Sequence, residues 1–408
     1  MLSDIRVLEI SDPSTMLAGQ ILGDLGADVV TVEAPGGSPG RRLEPFIDNL
    51  PGLERSLTWH AFNRNKRGMT LCLDSADGAA LLHQFVRRFD IVIEAVGPNR
   101  PSLFAGRLPE DKVHCTIAPF SMDGPKRHYQ PADLVLMAAS GAPAMAGEPG
   151  RAPLFFPLPQ AMLEAGAEAA VAALAALMAR ERDGLGQVAH VSARTAAIMG
   201  ALGRAVAGFA SDSPPTRSPT VGAGVSGMRS APSMYRCADG FMLMSIAFGP
   251  AFAPMTRQMV QWAIDEGALP QDYANTDWQE SRQAASTNTE RTPIDDLVAA
   301  ITDLCSRKTK AELAKAARDY RFMAGPVNTM DDIAASSQFR DRGLFDSVSI
   351  DPVRQSINVP ARFIQFSNYR IEVRRPAPAL SQHTIDILAG ELNLSPNETQ
   401  ALFAHGVI

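Results

Sequence analysis

Short runs of branched apolar residues, set between stretches of helical character, constrain this chain more than any other feature. Residues 5–10 (IRVLEI), 28–33 (DVVTVE), 69–73 (MTLCL), 91–96 (IVIEAV) and 113–120 (VHCTIAPF) each read as a strand. IRVLEI alternates and is rich in branched residues, as a strand is, and IVIEAV reads as a buried strand. A helix from about Met16 to Gly26 follows the turn DPST (12–15), and Ser75 caps another that runs to about Phe89. Strand, helix and strand within about thirty residues make a βαβ unit. Repeated, the alternation predicts a parallel sheet with helices on both faces. The Gly-Pro-rich loop APGGSPGRR (34–42) leaves a strand without opening a helix. It therefore lacks what a dinucleotide or P-loop phosphate site requires.

The longest helix runs from about Met162 to Arg182, with Arg180 and Arg182 in its last turn and the turn Asp183-Gly184-Leu185-Gly186 behind it. Apart from Glu164 and Glu168 its first half carries little larger than alanine, so other backbone must come close to it. Residues 187–195 (QVAHVSART) add a strand-like segment, and 211–233, rich in Ser, Pro and Gly, read as a linker or long surface loop. Beyond it, MYRCADGFMLMSIAF suggests a hairpin turning at Asp239-Gly240. Helical periodicity follows from about Pro250 to Tyr320, interrupted by an acidic-polar loop near 271–291. From Met323 the chain returns through AGPVNTMDDI and closes with helices at Thr384–Gly390 and Pro396–His405, the second capped by Ser395.

Composition excludes several classes of function. The 408 residues are 46% hydrophobic and 20% charged, with a formal net charge of −6 and no block of like charges, so neither nucleic acid nor an anionic membrane is an expected partner. Cys72, Cys115, Cys237 and Cys305 match no metal spacing, and a reducing cytoplasm fits them. The opening MLSDIRVLEISD is too charged for a signal peptide. The uncharged run Ala169–Ala179 is too short and alanine-rich to span a bilayer. His60, His83, His114, His128 and His190 have no ligand spacing, so no metal is expected. Met242, Met244, Met255 and Met259 read as core filling.

Many of these blocks, taken in order, resemble the class III CoA-transferase family (CaiB/BaiF type), which includes formyl-CoA transferase, carnitine CoA-transferase and acyl-CoA racemases. The similar segments run nearly end to end: IRVLEIS, AGQILGDLGADVVTVEAPGG, NRNKRGMTLCLDSADG, DIVIEAVGPN, PADLVLMAASG, the Ala-rich helix with GLGQVAHVS, YRCADGFMLM, AGPVNTMDDI, ALSQHTIDIL and HGVI. The resemblance implies an α/β fold: a doubly wound parallel-sheet large domain and a smaller α+β domain, in two chains interlocked as rings. It implies a large domain at 1–200, a linker at 201–230, a small domain at 231–325, and a return segment, 326–408, that completes the large domain.

The family's reaction moves CoA between carboxylic acids, with CoA thioesters as substrates and no bound cofactor. A carboxylate attacks the acyl thioester to give a mixed anhydride, CoA thiolate attacks the enzyme's acyl carbonyl, and the incoming acid takes the CoA. That nucleophile is an aspartate four residues before a glycine at the start of the Ala-rich helix. Here the glycine is Gly166, and Met162 stands in the aspartate's position. A thioether forms no acyl anhydride. Glu164 and Glu168 lie about 200° and 120° round the helix from Met162 and do not project where it does.

Other positions drift too. Thr15-Met16 replaces a Gly-Pro, Ala95-Val96 an Asn-Phe, and Ala132-Asp133 the racemases' His-Asp; Leu380-Ser381-Gln382 is weaker than the usual Leu-Gly. The resemblance places Lys66, Arg67, Gly97, Pro98 and Arg100 near CoA; a solvated charged turn is the alternative for Lys66 and Arg67. Together these imply a nucleophile-lacking subunit, paired with a paralogous catalytic subunit in an interlocked heteromer. Two-subunit benzylsuccinate CoA-transferase, of anaerobic toluene breakdown, is the precedent, and it suggests succinyl-CoA and benzylsuccinate as substrates. The alternatives are an active homodimer with a displaced carboxylate and a CoA-ester-binding regulatory protein.

Overall fold

Every run of branched residues named above contributes to one sheet, and the burial of that sheet explains why the runs are mostly apolar. The computed structural model describes residues 1–130, 132–147, 151–200, 202, 206, 232–247, 251–278, 291–350 and 354–408. The chain divides into two units: Met1–Ala142, Phe156–Leu202 and Ser337–Ile408 form one, and Pro143–Phe155 with Gly203–Ser336 form the other.

In the first unit β1 (Arg6–Ile10) leads through α1 (Met16–Asp24) to β2 (Asp28–Glu33), and α2 (Leu57–Phe62) precedes β3 (Lys66–Thr70). Then come α3 (Ala76–Phe85), β4 (Ile91–Ala95), β5 (Val113–Ala118), α4 (Asp133–Ser140), α5 (Gln160–Asp183), β6 (Val188–Ser192) and α6 (Ala193–Met199). The strands form a six-stranded parallel sheet in the order β3-β2-β1-β4-β5-β6. Val7 of β1 lies opposite Val29 and Ile91 in its neighbours. Val7, Val29, Ile91 and Ile93 pack with the α5 alanines on one face. Leu8, Val30, Val32 and Val92 pack with Phe85 of α3, and with Ile387 and Leu388 from the far end of the chain, on the other. Both faces are covered, so apolar residues fill most positions in these strands, and the polar ones among them, such as Glu9 and Glu94, are buried too.

The second unit holds β7 (Met234–Cys237), β8 (Gly240–Met244), α7 (Ala253–Asp265), α8 (Pro293–Arg307), α9 (Lys310–Tyr320), β9 (Ala324–Val327) and α10 (Met330–Ala335). β7, β8 and β9 make a three-stranded antiparallel sheet, and the hairpin turns at Ala238-Asp239. Met242, Met244 and Met259 lie in this unit's core beside Trp262 and Trp278. The chain then returns to the first unit through α11 (Ser337–Asp341), the hairpin β10 (Phe345–Ile350) and β11 (Gln355–Pro360), α12 (Thr384–Leu392) and α13 (Pro396–Ala404). Ser395 caps the last helix in a reciprocal box with Glu398. Of the expected linker 201–230, all but residues 202 and 206 lies outside the described residues, as does 279–290 of the acidic-polar loop.

Several local expectations need correction. The third strand spans Lys66–Thr70 rather than 69–73, because its pairing with β2 begins at Val29 opposite Lys66 and ends at Glu33 opposite Thr70. Its polar start hid it. Residues 193–195 open α6 instead of extending a strand: the Ser192 hydroxyl accepts the Thr195 N–H at 3.3 Å and caps a new helix. The helix capped by Ser75 stops at Phe85, with a 3₁₀ turn over Val86–Arg88 behind it. The strands β9, β10 and β11 were not anticipated, since FDSVSI and QSINVP carry too few large apolar residues to stand out.

The Ala-rich helix α5 is, among the described residues, the one helix long and apolar enough to cross a membrane by length and composition. Its stripe Ala161, Ala165, Ala169 and Ala173 is fully buried in the core of the first unit. At Gly166 a Cβ would sit 3.0 Å from the Ser14 carbonyl oxygen and 3.1 Å from Leu17 Cβ. The absence of a side chain there lets the loop after β1 rest on the first turns of α5. Gly166→Val is therefore expected to cost about 1–3 kcal/mol by overpacking, read as a lower urea midpoint; a midpoint equal to wild type would refute the close approach.

Candidate functional site

In an open parallel sheet, a crevice forms beyond the carboxyl ends of the two strands whose connections leave in opposite directions. With the order β3-β2-β1-β4-β5-β6 those strands are β1 and β4. A cavity of about 300 Å³ lies there, lined by the loop after β1 (Asp12, Pro13, Ser14), the turn after β4 (Val96 to Arg100), the end of β5 (Ile117 to Pro119), Leu136 of α4, Met162 of α5 and Ala193 of α6. Its lining is mostly apolar, with Ser14, Asn99 and Gln130 as neutral polar groups. Among the lining residues Asp12 is the one carboxylate and Arg100 the one cation.

Both charged groups are held by local geometry. The Asp12 carboxylate accepts from the Ser14 N–H at 2.9 Å and the Ser14 hydroxyl at 2.7 Å through Oδ1. The Asp12 carbonyl oxygen takes the N–H groups of Thr15 and Met16, and this starts α1. Across the crevice Gly97 and Arg100 exchange two backbone hydrogen bonds in a tight turn. From that turn Arg100 reaches over to Asp12 Oδ2 at 2.6 Å. Both partners of this ion pair line the cavity.

The floor of the cavity includes Met162, half-buried in the first turn of α5. Pro159 precedes this helix and supplies no side-chain cap. The cap comes from elsewhere: Asp133, at the start of α4, accepts the Met162 N–H through Oδ1 at 3.1 Å. Asp133 Oδ2 is buried with no partner. Glu164 and Glu168 do not line the cavity; a Cβ on Gly200, just after α6, would be 3.7 Å from Glu164 Oε1. The carboxylates of the helix thus turn away from Met162, as the helical geometry requires.

Burial raises the pKa of Asp133, against the lowering effect of the helix N–H groups. Burial also raises that of Glu164, and the neighbouring charges of Asp133 and Glu168 add to it. A folded-state pKa above the unfolded value means that the folded chain holds more protons between the two values, so stability falls as pH rises through that window. Glu164→Gln removes one contributor. Urea unfolding of wild type and this variant at low and neutral pH is expected to show the variant gaining relative stability as pH rises; a constant difference would contradict the shift.

The structure separates the five residues expected near CoA. Gly97, Pro98 and Arg100 meet at the cavity mouth, whereas Lys66 and Arg67 do not line it. Lys66 is fully buried, its ammonium 2.7 Å from Glu9 Oε2 and 2.8 Å from both the Met16 carbonyl and Asn63 Oδ1. Two hydrogen bonds and an ion pair hold the ammonium away from solvent, so the reading of this pair as a solvated charged turn is corrected. Arg67 is clamped by Asp28, at 3.0 and 2.6 Å, and by Glu391 at 3.3 Å. Thr15 and Met16 are buried in the same network, with Met16 beside Trp59 and Ala377. Among the described residues no group of three His, Cys, Asp or Glu side chains is placed to hold a metal.

Two residues of the site escaped the sequence reading. Asp12 was read only as part of a turn; its place directly after the first strand of a doubly wound sheet was the available signal. Asp133 carried no sequence signal as a cap, because it caps a helix that starts 27 residues beyond it, Gln160 against Asp133 (160 − 133).

Comparison with known proteins gives a consistent picture. Residues 2–384 match the model of CoA-transferase family III. The chain is 27% identical over 397 residues to succinyl-CoA:(R)-benzylsuccinate CoA-transferase subunit BbsE of Thauera aromatica, covering 95% of this chain and 93% of that one. It is 28% identical over 406 residues to a succinate–glutarate CoA-transferase of Agrobacterium fabrum, covering 95% of each. In fold it is similar to the crystal structure of a CaiB/BaiF family protein from Brucella suis, with a TM-score of 0.74 and 24% identity over 95% of this chain and 98% of that one.

Proposed function

This chain belongs to CoA-transferase family III, and from that premise we propose that it is the nucleophile-lacking subunit of a heteromeric CoA-transferase. Members of the family are transferases that use CoA thioesters as substrates. The observation that carries the proposal is Met162: it faces the cavity from the first turn of α5, where the reaction needs a carboxylate. The thioether accepts no acyl group, and Glu164 and Glu168 do not line the cavity. The family's double displacement therefore requires an aspartate from a paralogous partner chain. The likeness to a relative whose name calls it a subunit supports that division.

In this reading the partner's carboxylate attacks the acyl thioester, releasing CoA thiolate and leaving a mixed anhydride. The thiolate then attacks the partner's own acyl carbonyl, freeing the donor acid and forming an enzyme-bound CoA thioester. The acceptor's carboxylate attacks that thioester, expelling CoA thiolate and leaving a second mixed anhydride; the thiolate then attacks the acceptor's carbonyl in it, which forms the new CoA thioester and frees the partner's carboxylate. Succinyl-CoA is the proposed donor and an aromatic acid such as benzylsuccinate the proposed acceptor, both taken from the relative's activity. Gly97, Pro98 and Arg100 are the proposed contacts of this chain with CoA; Lys66 and Arg67 act on it only through the fold. The chain works in the cytoplasm in this reading.

The test is co-expression with the paralogue, followed by assay of CoA transfer from succinyl-CoA and trapping of the enzyme-bound thioester with hydroxylamine or borohydride. Activity only in the mixture, with the label on the partner, is the expected result. Activity and label on this chain alone would overturn the proposal in favour of an active homodimer.

A further inference from the structure

We infer that Asp12 sets the specificity of the Met162 cavity, so that it admits an uncharged aryl or branched-alkyl acyl end and turns away one bearing a free carboxylate. The inference rests on the proposed function and deepens it: this chain's cavity takes the acceptor's acyl end, while the succinyl donor reacts at the partner's carboxylate. The argument starts from the charges. A pocket that takes a dicarboxylic acyl chain needs positive charge left over for the terminal carboxylate, because a buried unpaired carboxylate is strongly disfavoured. Arg100 is the one cation among the lining residues, and the Asp12 carboxylate, with Oδ2 2.6 Å from its Nη1, already balances that charge.

Asp12 is not available to step aside. Its Oδ1 is fastened to Ser14 by two hydrogen bonds and its carbonyl anchors α1, and its side chain is only 20% exposed. A second carboxylate entering the mouth would have to displace it from Arg100 or lie beside it, and like charges brought together discriminate against the wrong ligand. Further in, the walls are Val96, Ile117, Leu136, Met162 and Ala193. They offer dispersion contacts to a ring or branched chain and no counter-ion. At about 300 Å³ the space is at the small end of ligand pockets, suited to one ring. A ligand that carries both a ring and a carboxylate enters ring first.

The test is titration of the purified full-length chain, by calorimetry, with 3-phenylpropionyl-CoA and with succinyl-CoA. The CoA portion is common to both, so the ratio of affinities reports the acyl end alone. Wild type is expected to favour the phenyl ligand by at least about tenfold, and Asp12→Asn, which frees Arg100, is expected to bring the ratio within about threefold. Should Asp12→Asn fail to fold, Arg100→Gln serves instead: it leaves the Asp12 carboxylate unneutralised and is expected to keep or widen the preference. Equal affinities in wild type, an unchanged ratio in Asp12→Asn, a lost preference in Arg100→Gln, or binding of neither ligand would each overturn the inference. The titration involves no turnover and no partner, so its failure is distinct from finding a trapped thioester on this chain.

Discussion

Replacing Met162 by aspartate is expected to give this chain a CoA thioester that hydroxylamine or borohydride traps, where the wild-type chain gives none. The environment is suited to the change. Aspartate is shorter than methionine, so nothing need move, and the first turn of a helix favours negative charge through its unpaired N–H groups and the macrodipole. The cavity already opens on this side chain. A carboxylate there attacks the thioester carbonyl, expels CoA thiolate, and is in turn attacked by it; the thioether does neither. Labelling is expected to rise by at least about 10²-fold over wild type, the lower range for gaining a positioned catalytic group. Asp133, bonded to the residue's own N–H at 3.1 Å, is a like charge close by. It raises the new carboxyl's pKa, so labelling should grow with pH. Met162→Asn, of the same size but without the nucleophile, is the control and should stay blank. A trapped thioester in wild type, or none in Met162→Asp under conditions where it binds acyl-CoA, would remove Met162 from the nucleophile's position.

The parts of this molecule that were legible in its sequence are those governed by local pattern. Buried strands announce themselves because both faces must be apolar, as in IVIEAV, and helix ends because caps are local, as at Ser75 and Ser395. Gly166 was legible as a point of close approach because the helix around it is alanine. The parts that were missed depend on pairings distant in sequence. Lys66 and Arg67 look like a charged turn until β3 is registered against β2, at which point Lys66 falls inside the sheet beside Glu9. Arg41 reads as part of a loose Gly-Pro loop, yet it is fully buried against Glu33, the Trp59 ring and the Pro378 carbonyl, 337 residues away. Asp12 and Arg100 are separated by 88 residues, and only the strand order brings them across one crevice. The interest of position 162 came from the family resemblance; the cavity around it could not be read from the sequence.

Removing the Lys66 ammonium is expected to be the most damaging single change in the sheet. Lys66 and Glu9 have no exposed side-chain surface. Lys66→Met leaves the Glu9 carboxylate buried without its counter-ion, which costs about 3–5 kcal/mol where such pairs are broken. The carboxylate has no room to turn away, since even a Cβ on Gly19 of α1 would overlap it. Glu9→Gln with Lys66→Met together removes both charges and is expected to recover most of the loss, because a neutral replacement of a buried pair is often near neutral. The pH dependence has a definite sign. Burial raises the Glu9 pKa, and the Lys66 charge opposes that rise. Without Lys66 the folded-state value climbs further above the unfolded one, so the single variant should be least damaged at acid pH and lose stability as pH rises. Urea midpoints of wild type, the single and the double variant at two pH values test this, and a single variant within about 1 kcal/mol of wild type would sink it. The double variant also separates the two roles open to Lys66. If the residue holds the sheet and does not meet a CoA phosphate, the refolded double variant binds CoA thioesters as wild type does; a stable double variant that has lost CoA would return Lys66 to the binding site.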